Sequence, residues 1–323
     1  MKNIYNNFFH FKEIEKKLKN VNLGERIYKK YSIVPLGFAT KSLVNLNNPN
    51  AVKFLRHRLS IYKTPKKIIL LLLLKLKLFK VIQTRSFKNI DLILLSRRLK
   101  LMDFENKKVY TFGDKKENEK IKKNYLDIKN NMNYNIQLKI EKDLIEEKLL
   151  FPEQKIKNND IKKIFCSLCE MYNKTKKKVE HKIYFDAMKE LYITRKKVYP
   201  IPNIKIPEIE YYNVTCHGDF CKLNLIKHDG EIFLIDLESV EDGDILRDFT
   251  RFFLAEYLLS GNLDLSLFIS LKNIIMEKCK IKEKYFYIIL KNHVLFLESS
   301  VPKLKKYSKK LKETILYLEK NEK

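Results

Sequence analysis

The side chains that could carry out chemistry are concentrated in one short run between Val214 and Asp244. The run reads VTCHGDFCKLNLIKHDGEIFLIDLESVEDGD, in a chain that is otherwise rich in lysine, isoleucine, leucine and asparagine. It contains Asp219, Asn224 and Asp236, whose carboxylate and amide oxygens are hard ligands that suit Mg²⁺. If the chain brings these three side chains together, the run predicts a divalent-metal site.

The dipeptide Asp229-Gly230 predicts how the chain would bring two of them together. A two-residue hairpin turn of type I′ needs positive φ at both central positions, and Asp-Gly is one of its preferred sequences. Counting outward from the turn along both strands, Asn224 would face Ile235. Because Asp236 is the next residue, the open end of the hairpin would hold Asn224 and Asp236 side by side.

Asp219 lies in the loop that enters this hairpin, and from there it can approach the same point. With His217 and Asn224 it gives the spacing H-x-D-x-x-x-x-N. In protein-kinase-like phosphoryl transfer, an Asp orients and deprotonates the acceptor hydroxyl while an Asn and an Asp hold the metal ions. The alternative is a polar hairpin with capping side chains. It gives no reason for the carboxylates to converge, since like charges repel unless a cation lies between them.

The run from His217 to Phe253, HGDFCKLNLIKHDGEIFLIDLESVEDGDILRDFTRFF, resembles the catalytic centre of the aminoglycoside phosphotransferase and choline kinase families. These are small-molecule kinases on the protein-kinase-like fold. The resemblance implies that Asp219 is the catalytic base and that Asn224 and Asp236 bind Mg²⁺. It covers about forty residues, and the order of its motifs is more specific than any one of them.

Two further features of the run support the resemblance. Ile235-Asp236-Leu237-Glu238 stands where protein kinases have D-F-G, and the I-D-x-E form with Glu238 is closer to the choline- and thiamine-kinase type. Gly243-Asp244 and Asp248 resemble the G-D-x-x-x-D that follows in the family. The resemblance implies that Asp248 is structural and braces the catalytic loop through His217.

The residues that would hold the nucleotide are poorly marked. The chain has seven glycines, and no G-x-G pattern can be read from them. We expect Lys108 to be the lysine that holds the ATP phosphates, with Lys115 and Lys116 as alternatives, and Glu119 to be its partner glutamate. The alternative for Glu119 is a place on a solvated helix face.

The resemblance and the periodicity together predict an α+β chain with the bilobal protein-kinase-like fold. We expect an N-terminal helical, basic extension over residues 1–90, and a small β-rich nucleotide-binding lobe over 91–155. A mainly helical catalytic lobe with a central hairpin would cover residues 156–323. Within them, the pattern predicts a hairpin between Leu99 and Phe112, an exposed helix over 115–132, and a helix from Asp160 to Lys197.

A net charge of +27 indicates either solvated lysines from a biased composition or an anionic partner. No nucleic-acid-binding module is recognisable, so we expect no specific nucleic acid. The apolar run Ile68 to Leu74 is far shorter than the roughly 20 residues of a spanning helix. It predicts a helix that packs against the protein, with peripheral association to an anionic membrane as the alternative.

These observations predict a kinase that uses ATP and Mg²⁺ to phosphorylate a hydroxyl of a small molecule. The acceptor could be an amino alcohol, a sugar or a cell-surface glycan precursor. The alternative is a catalytically inactive, kinase-like scaffold or binding protein. Five cysteines and the lack of an apolar leader in MKNIYNNFFHFKEIEKK predict a reduced, cytoplasmic location, with membrane-peripheral placement as its variant.

Overall fold

The computed structural model describes residues 14, 16–19, 21, 23–36, 40–60, 65–95, 98–113, 115–132, 138–140, 144–151, 153–180, 182, 210–300 and 305–321. The chain divides into two compact units. The first comprises Met1–Lys122 and Asn135–Pro152, and the second comprises Lys123–Tyr134 and Glu153–Lys323. The first is rich in strands and the second is mainly helical, which confirms the predicted α+β class.

An eight-stranded antiparallel sheet forms the centre of the first unit. Its strands are β1 (Arg26–Leu36), β2 (Thr40–Val44), β3 (Val81–Phe87), β4 (Ile90–Leu95), β5 (Leu99–Asp103), β6 (Lys108–Phe112), β7 (Leu138–Ile140) and β8 (Leu144–Lys148). They follow the order β3-β1-β2-β4-β5-β6-β8-β7. The accompanying helices are α1 (Pro49–Ser60), α2 (Pro65–Lys75) and α3 (Lys115–Met132), and α3 continues from the first unit into the second.

The hairpin and the helix predicted for this unit are confirmed. In the hairpin, Leu99 pairs with Phe112 and Asp103 pairs with Lys108. The Asp103 carboxylate fixes the turn, because it accepts hydrogen bonds from the backbone and the side-chain amide of Asn106 at 2.8 and 2.7 Å. Helix α3 begins and ends at the residues that the pattern predicted.

The expectation of a helical, basic extension over residues 1–90 is wrong. Strands β1, β2 and β3 lie in that segment and form one edge and the neighbouring part of the sheet. In β1, Lys29 and Lys30 interrupt the apolar alternation that indicates a strand. The ammonium group of Lys29 is not simply solvated, since it donates to Asp91 at 2.7 Å and to the Ile90 carbonyl at 3.0 Å. Residues 91–155 therefore cover only part of the β-rich unit.

Both faces of this sheet are covered. Leu92 and Ile93 are neighbours in β4, so their side chains point to opposite faces, and both are fully buried. Leu92 belongs to a core that includes Phe54 of α1 and Leu74 of α2. Ile93 belongs to a second core, which includes Leu18. Burial on both faces explains why IDLILL is almost continuously apolar.

The second unit packs helices around two small sheets. Its elements are α4 (Asn158–Thr175), β9 (Lys177–Val179), β10 (Tyr211–Cys216), β11 (Leu225–His228), β12 (Glu231–Leu234), β13 (Glu241–Asp244), α5 (Arg247–Ser260), α6 (Leu265–Cys279), α7 (Glu283–Ser300) and α8 (Lys305–Asn321). One sheet has the order β13-β10-β9, and β11 with β12 forms the other. This unit contains the segment 156–323 for which a helical lobe was predicted, and it also takes in residues 123–132 of α3.

The helix predicted from Asp160 to Lys197 is shorter than expected. It ends at Thr175, and Lys177–Val179 pairs as β9 with β10, where Lys178 faces Tyr212. Strand pairing therefore replaces the helical continuation that the spacing of apolar residues predicted. The rest of that prediction, over residues 183–197, lies outside the described residues.

A cluster of phenylalanines fixes helix α5 in the second unit. The ring of Phe249 lies 5.0 Å from that of Phe268 and 5.1 Å from that of Phe286, measured between centroids. All three side chains are fully buried. Such edge-to-face contacts add to the free energy gained by burial. Since α5 begins at Arg247, this cluster sets the position of the polar residues in its first turns.

The leucine-rich helix is confirmed as α2, and it packs with one face only. Leu70 and Leu74 are buried in the core of the first unit, whereas Ile68, Ile69 and Leu72 are exposed. The pair Thr64-Pro65 predicts an N-cap followed by a proline in the first turn, and Thr64 lies outside the described residues. Among the helices described, none is long and apolar enough to cross a bilayer.

The phenylalanine cluster leads to a prediction about stability. Replacing Phe268 with alanine should lower the free energy of unfolding by about 3–5 kcal/mol, because it leaves a cavity among packed rings. Chemical denaturation followed by circular dichroism would measure the change. The control is Leu265→Ala on the same helix, where the side chain is exposed and the loss should stay below about 1 kcal/mol. Equal losses in the two variants would contradict the proposed role of the cluster.

Candidate functional site

The hairpin predicted from Asp229-Gly230 forms with the expected register. Leu225 pairs with Leu234, and the pairing continues to His228 and Glu231. Asp229 and Gly230 have φ values of 49° and 77°, as a type I′ turn requires. At the open end, the amide of Ile235 donates to the carbonyl of Asn224 at 2.9 Å. The backbone of Asn224 therefore lies opposite the residue that precedes Asp236.

Asn224 is in direct contact with Asp219. Its side-chain Nδ2 donates to the Asp219 backbone oxygen at 2.8 Å and to the carboxylate Oδ2 at 3.1 Å. The short 3-10 helix Lys222–Asn224 makes this contact possible, because it turns the chain back toward Asp219. Since the amide nitrogen is committed to Asp219, the Oδ1 atom is the one that Asn224 offers to a cation.

His217 connects the Asp219 loop to the segment that carries Asp236. Its Nδ1 accepts from the Asp219 amide at 3.3 Å, and its Nε2 lies 3.0 Å from the carbonyl oxygen of Ile235. A neutral ring protonated on Nε2 satisfies both contacts. The imidazole is fully buried. It therefore sets the separation between the backbone of Asp219 and the residue before Asp236.

Asp248 braces the same loop from the first turn of α5. Its carboxylate accepts from the backbone amides of His217 and Gly218, each at 2.7 Å, and from the hydroxyl of Tyr172 at 2.9 Å. Burial, and secondarily the Asp248 charge, hold the pKa of Tyr172 well above its usual range, so this hydroxyl remains a donor. Asp248 therefore holds the loop through two backbone amides, one of which is that of His217.

Gly218 is required by a close approach between two backbone segments. Its φ is 80°, and a Cβ at this position would lie 2.1 Å from the carbonyl oxygen of Ser239. No side chain fits here, because the atom that the Cβ would meet belongs to the backbone and cannot rotate away. The glycine in H-G-D therefore allows the Asp219 loop to pack directly on the segment that follows Asp236.

Asp236 stands at the end of the hairpin in an uncommon backbone conformation. It is in the left-handed region, with φ 67° and ψ 56°, which Asp tolerates better than most residues. The 3-10 helix Leu237–Ser239 follows and includes Glu238. Asn124 of α3 donates to the Leu237 carbonyl at 3.2 Å and so holds this turn. Sequence reasoning did not identify Asn124.

The residues of this site fit a magnesium ion by the chemistry of their donors. Asp219, Asn224 and Asp236 offer carboxylate and amide oxygens, which Mg²⁺ prefers, and they offer no thiolate or imidazole. The hydrogen bonds of Asn224 leave its oxygen for this purpose. The left-handed turn at Asp236 is a local strain of the kind that often occurs at ligand sites.

Helix α5 also contacts the Asp219 loop through two ion pairs that the sequence did not predict. Arg251 donates to Asp219 Oδ1 from Nε at 2.7 Å and from Nη2 at 2.6 Å. Lys222 pairs with Glu256. The signal for Arg251 was its position three residues after Asp248, because residues three apart share a helix face. The carboxylate expected to act as base is thus held by an arginine.

Lys108, expected to hold the ATP phosphates, and Glu119, its expected partner, both lie in the first unit. Lys108 is on β6 and forms an ion pair with Glu146 of β8 at 2.8 Å. Its hydrogen bond with Glu146 raises the pKa of the Lys108 ammonium, which keeps it charged. Glu119 is on an exposed face of α3. Glu146 is therefore a partner of Lys108 that sequence reasoning did not consider.

The solved structures to which this chain is similar include small-molecule kinases. No family model and no curated protein matches the sequence. Choline kinase LicA from Streptococcus pneumoniae is 13% identical over 62% of this chain and 79% of that chain, with a TM-score of 0.42. LicA in complex with AMP matches over 95% of this chain and 96% of that chain, at 12% identity and a TM-score of 0.44. An aminoglycoside phosphotransferase from Streptomyces rimosus is 13% identical over 62% and 89%, with a TM-score of 0.39.

These similar structures include both kinds of kinase that the run from His217 to Phe253 resembles. All three TM-scores are below 0.5, and what the chain can do is determined by its own side chains and their contacts.

The close approach at Gly218 leads to a prediction with a matched control. Gly218→Ala and Gly261→Ala both place a side chain at positive φ, which costs about 1–2 kcal/mol. Only at Gly218 would the new Cβ meet backbone, while nothing lies within 4 Å of a Cβ at Gly261. Gly218→Ala should therefore lose about 1–3 kcal/mol more in unfolding free energy, as for an overpacked site. Thermal unfolding of the two variants measures the difference, and equal losses would refute the close contact.

Proposed function

We propose that the chain is a phosphotransferase of the aminoglycoside phosphotransferase and choline kinase type, which uses ATP and Mg²⁺ to phosphorylate a hydroxyl of a small molecule. The observation that carries the proposal is that Asn224 contacts Asp219 while the buried His217 links the backbone of Asp219 to the carbonyl before Asp236. A polar hairpin without a catalytic role has no requirement for this convergence. The motif order in the sequence supports the same activity.

Asp219 is the proposed base. The acceptor oxygen would form a bond to the γ-phosphorus of ATP while the bond from that phosphorus to the bridging oxygen breaks and ADP leaves. The proton of the acceptor hydroxyl would pass to the Asp219 carboxylate. Holding the hydroxyl in line with the phosphorus accounts for much of the catalysis in such reactions, since little covalent chemistry falls to the protein.

Asn224 Oδ1 and the Asp236 carboxylate are the proposed ligands of Mg²⁺. The bound ion would neutralise charge on the phosphate oxygens during transfer. The residues around the ligands hold them in place: His217 through Ile235, and Asn124 through the Leu237 carbonyl. Glu238 follows in the same turn as a supporting residue.

Lys108 remains the proposed residue for the ATP phosphates and Glu119 its proposed partner glutamate, and Glu146, with which Lys108 forms an ion pair, is added as a second partner. A guanidinium or ammonium group that stays charged suits a phosphate chain. The five cysteines are free thiols, which fits a reducing, cytoplasmic compartment. The second candidate is an inactive scaffold, for which the ion pair between Arg251 and the expected base is the favouring observation.

Replacing the proposed base should separate these two functions. Asp219→Asn keeps the size of the side chain but removes its basicity, so kcat should fall by about 10²–10⁴ for a lost general base. A coupled assay of Mg²⁺-dependent ATP turnover, with a pool of hydroxyl acceptors, measures it. The control is Asp242→Asn, an exposed carboxylate of β13 that accepts a hydrogen bond from the Thr215 hydroxyl at 3.3 Å.

Asp236→Asn should lower turnover and should also raise the Mg²⁺ concentration needed for half-maximal turnover, because it removes the charge of one proposed ligand. The same assay over a series of Mg²⁺ concentrations measures this change.

Asp242→Asn should retain the wild-type rate and magnesium dependence. Turnover that survives Asp219→Asn unchanged would remove the role assigned to Asp219. A wild-type chain that binds ATP without any turnover would favour the scaffold.

A further inference from the structure

Helix α2 and the turn that follows it expose an unusual amount of apolar side chain. Of the eleven exposed large hydrophobic residues among the described part of the chain, six lie between residues 68 and 81. Their side chains are 53–70% exposed. We call this group the apolar patch; it consists of Ile68, Ile69, Leu72, Leu76, Leu78 and Val81. Apolar exposure concentrated in one segment of chain is a sign of an interaction site, whereas single exposed residues are normal on a protein surface.

The apolar patch begins on a helix whose other face is buried in a core. Leu70 and Leu74 lie on the opposite side of α2 and are buried in the core of the first unit. Ile68 and Leu72 are four residues apart and therefore share one face of the helix. After the helix, the backbone amide of Leu78 donates to the Leu73 carbonyl at 3.0 Å and so ties the following turn to the helix end. Folding thus fixes the outward direction of the patch.

The charges around the apolar patch identify its partner. Lys75, Lys77 and Lys80 are exposed within the same segment, and no Asp or Glu occurs between residues 65 and 90. A second copy of the chain would bring these lysines against each other in a symmetric interface. An anionic bilayer surface would instead accept both the apolar side chains and the lysines.

We propose that the apolar patch and its lysines dock the first unit on the surface of an anionic lipid bilayer. The apolar side chains would enter the boundary between headgroups and acyl chains, to a depth of about 5–10 Å. The ammonium groups would lie at the level of the lipid phosphates. This docking is independent of the phosphotransferase activity.

The chain contains no tryptophan, so a single introduced one reports on its own surroundings. Leu72→Trp places the probe in the apolar patch, and Leu316→Trp places it at an exposed position of α8 as a control. With vesicles of phosphatidylcholine and phosphatidylglycerol, the emission of Leu72→Trp should shift to shorter wavelength and be quenched by brominated lipid. The emission of Leu316→Trp should not change. Vesicles of phosphatidylcholine alone should produce a much smaller shift.

Vesicle sedimentation of the otherwise unchanged chain tests the charges. Lys75→Glu combined with Lys77→Glu should lower the partition coefficient at least about tenfold, since each lysine near an anionic surface contributes about fivefold. The matched control is Lys122→Glu with Lys123→Glu, two exposed lysines of α3. Absence of binding to anionic vesicles overturns the proposal. So does a shift of the Leu72→Trp emission that follows protein concentration without lipid, which would identify a second copy as the partner.

A second inference concerns the acceptor, and it rests on the proposed phosphotransferase activity. Both carboxylate oxygens of Asp219 are engaged, Oδ1 by Arg251 and Oδ2 by Asn224. The Arg251 side chain is 42% exposed, so its charge is accessible from solvent beside the proposed base. Two carboxylates that contact this loop or helix α5, Glu256 and Glu241, are paired with Lys222 and Arg247.

This distribution of charge disfavours a cationic acceptor. An amino alcohol bound with its hydroxyl on Asp219 would place its ammonium group near a guanidinium. An acceptor that carries a carboxylate or phosphate next to its hydroxyl would instead pair with that guanidinium, for which arginine is well suited. We infer that Arg251 is a specificity-determining residue and that the acceptor is an anionic hydroxyl compound.

Steady-state kinetics with acceptors of matched size tests Arg251. Glycerate and glycerol phosphate are the anionic probes, glycerol is neutral, and ethanolamine is cationic. The wild type should prefer the anionic pair. Arg251→Gln should raise KM for the anionic acceptors at least about tenfold, as for a lost charged hydrogen bond, with a much smaller change for glycerol. Glu256→Gln, which breaks the other ion pair between α5 and the loop, should leave the charge preference unchanged.

The outcomes separate this inference from the proposed activity. A wild type that is active but prefers ethanolamine overturns the anionic acceptor while the phosphotransferase stands. Equal losses for all acceptors in Arg251→Gln show that Arg251 only positions Asp219, which also overturns the inference. A wild type without turnover on any acceptor contradicts the phosphotransferase itself.

Discussion

The candidate site depends on one buried imidazole. His217 accepts from the backbone of Asp219 on one side and contacts the carbonyl before Asp236 on the other. Asp219 and Asp236 belong to different local structures, the loop that enters the hairpin and the segment that follows its second strand. Each structure forms locally, but neither fixes the distance to the other. A neutral ring with no solvent contact supplies that distance, and its two nitrogens are both satisfied.

The parts of the site that the sequence predicted are those determined by near neighbours. Asp229-Gly230 specifies its own turn, and the turn specifies the register up to Asn224 and Ile235. The contacts of Asp248 and Arg251 with the Asp219 loop span 30 to 32 residues of chain, and that of His217 with Ile235 spans 18, so no local pattern predicts them. For Asp248 the family resemblance indicated a brace. The structure adds that Asp248 holds this loop through backbone amides, which every residue type except proline presents.

The same distinction explains the errors in the fold. Hairpin β5-β6 and helix α3 have strong local signals and were predicted with nearly correct ends. Strand β1 is not predicted because Lys29 and Lys30 break its apolar alternation, and the ammonium group of Lys29 finds its partner, Asp91, only in strand β4. The helix predicted from Asp160 extends past the observed end at Thr175, because strand β9, which follows, is stabilised by pairing with β10. Long-range partners override the local preference in both places.

The brace from Asp248 has a consequence for the order of folding. His217 and Gly218 find their acceptor thirty or so residues further along the chain, in the first turn of α5, and α5 is itself fixed by the phenylalanine rings of α6 and α7. Until those helices have docked, the two amides have no partner and the loop has no reason to adopt its native path. A partly folded second unit would therefore contain its helices and its hairpin but no assembled site. Slow hydrogen exchange at these two amides should appear only together with the final cooperative step.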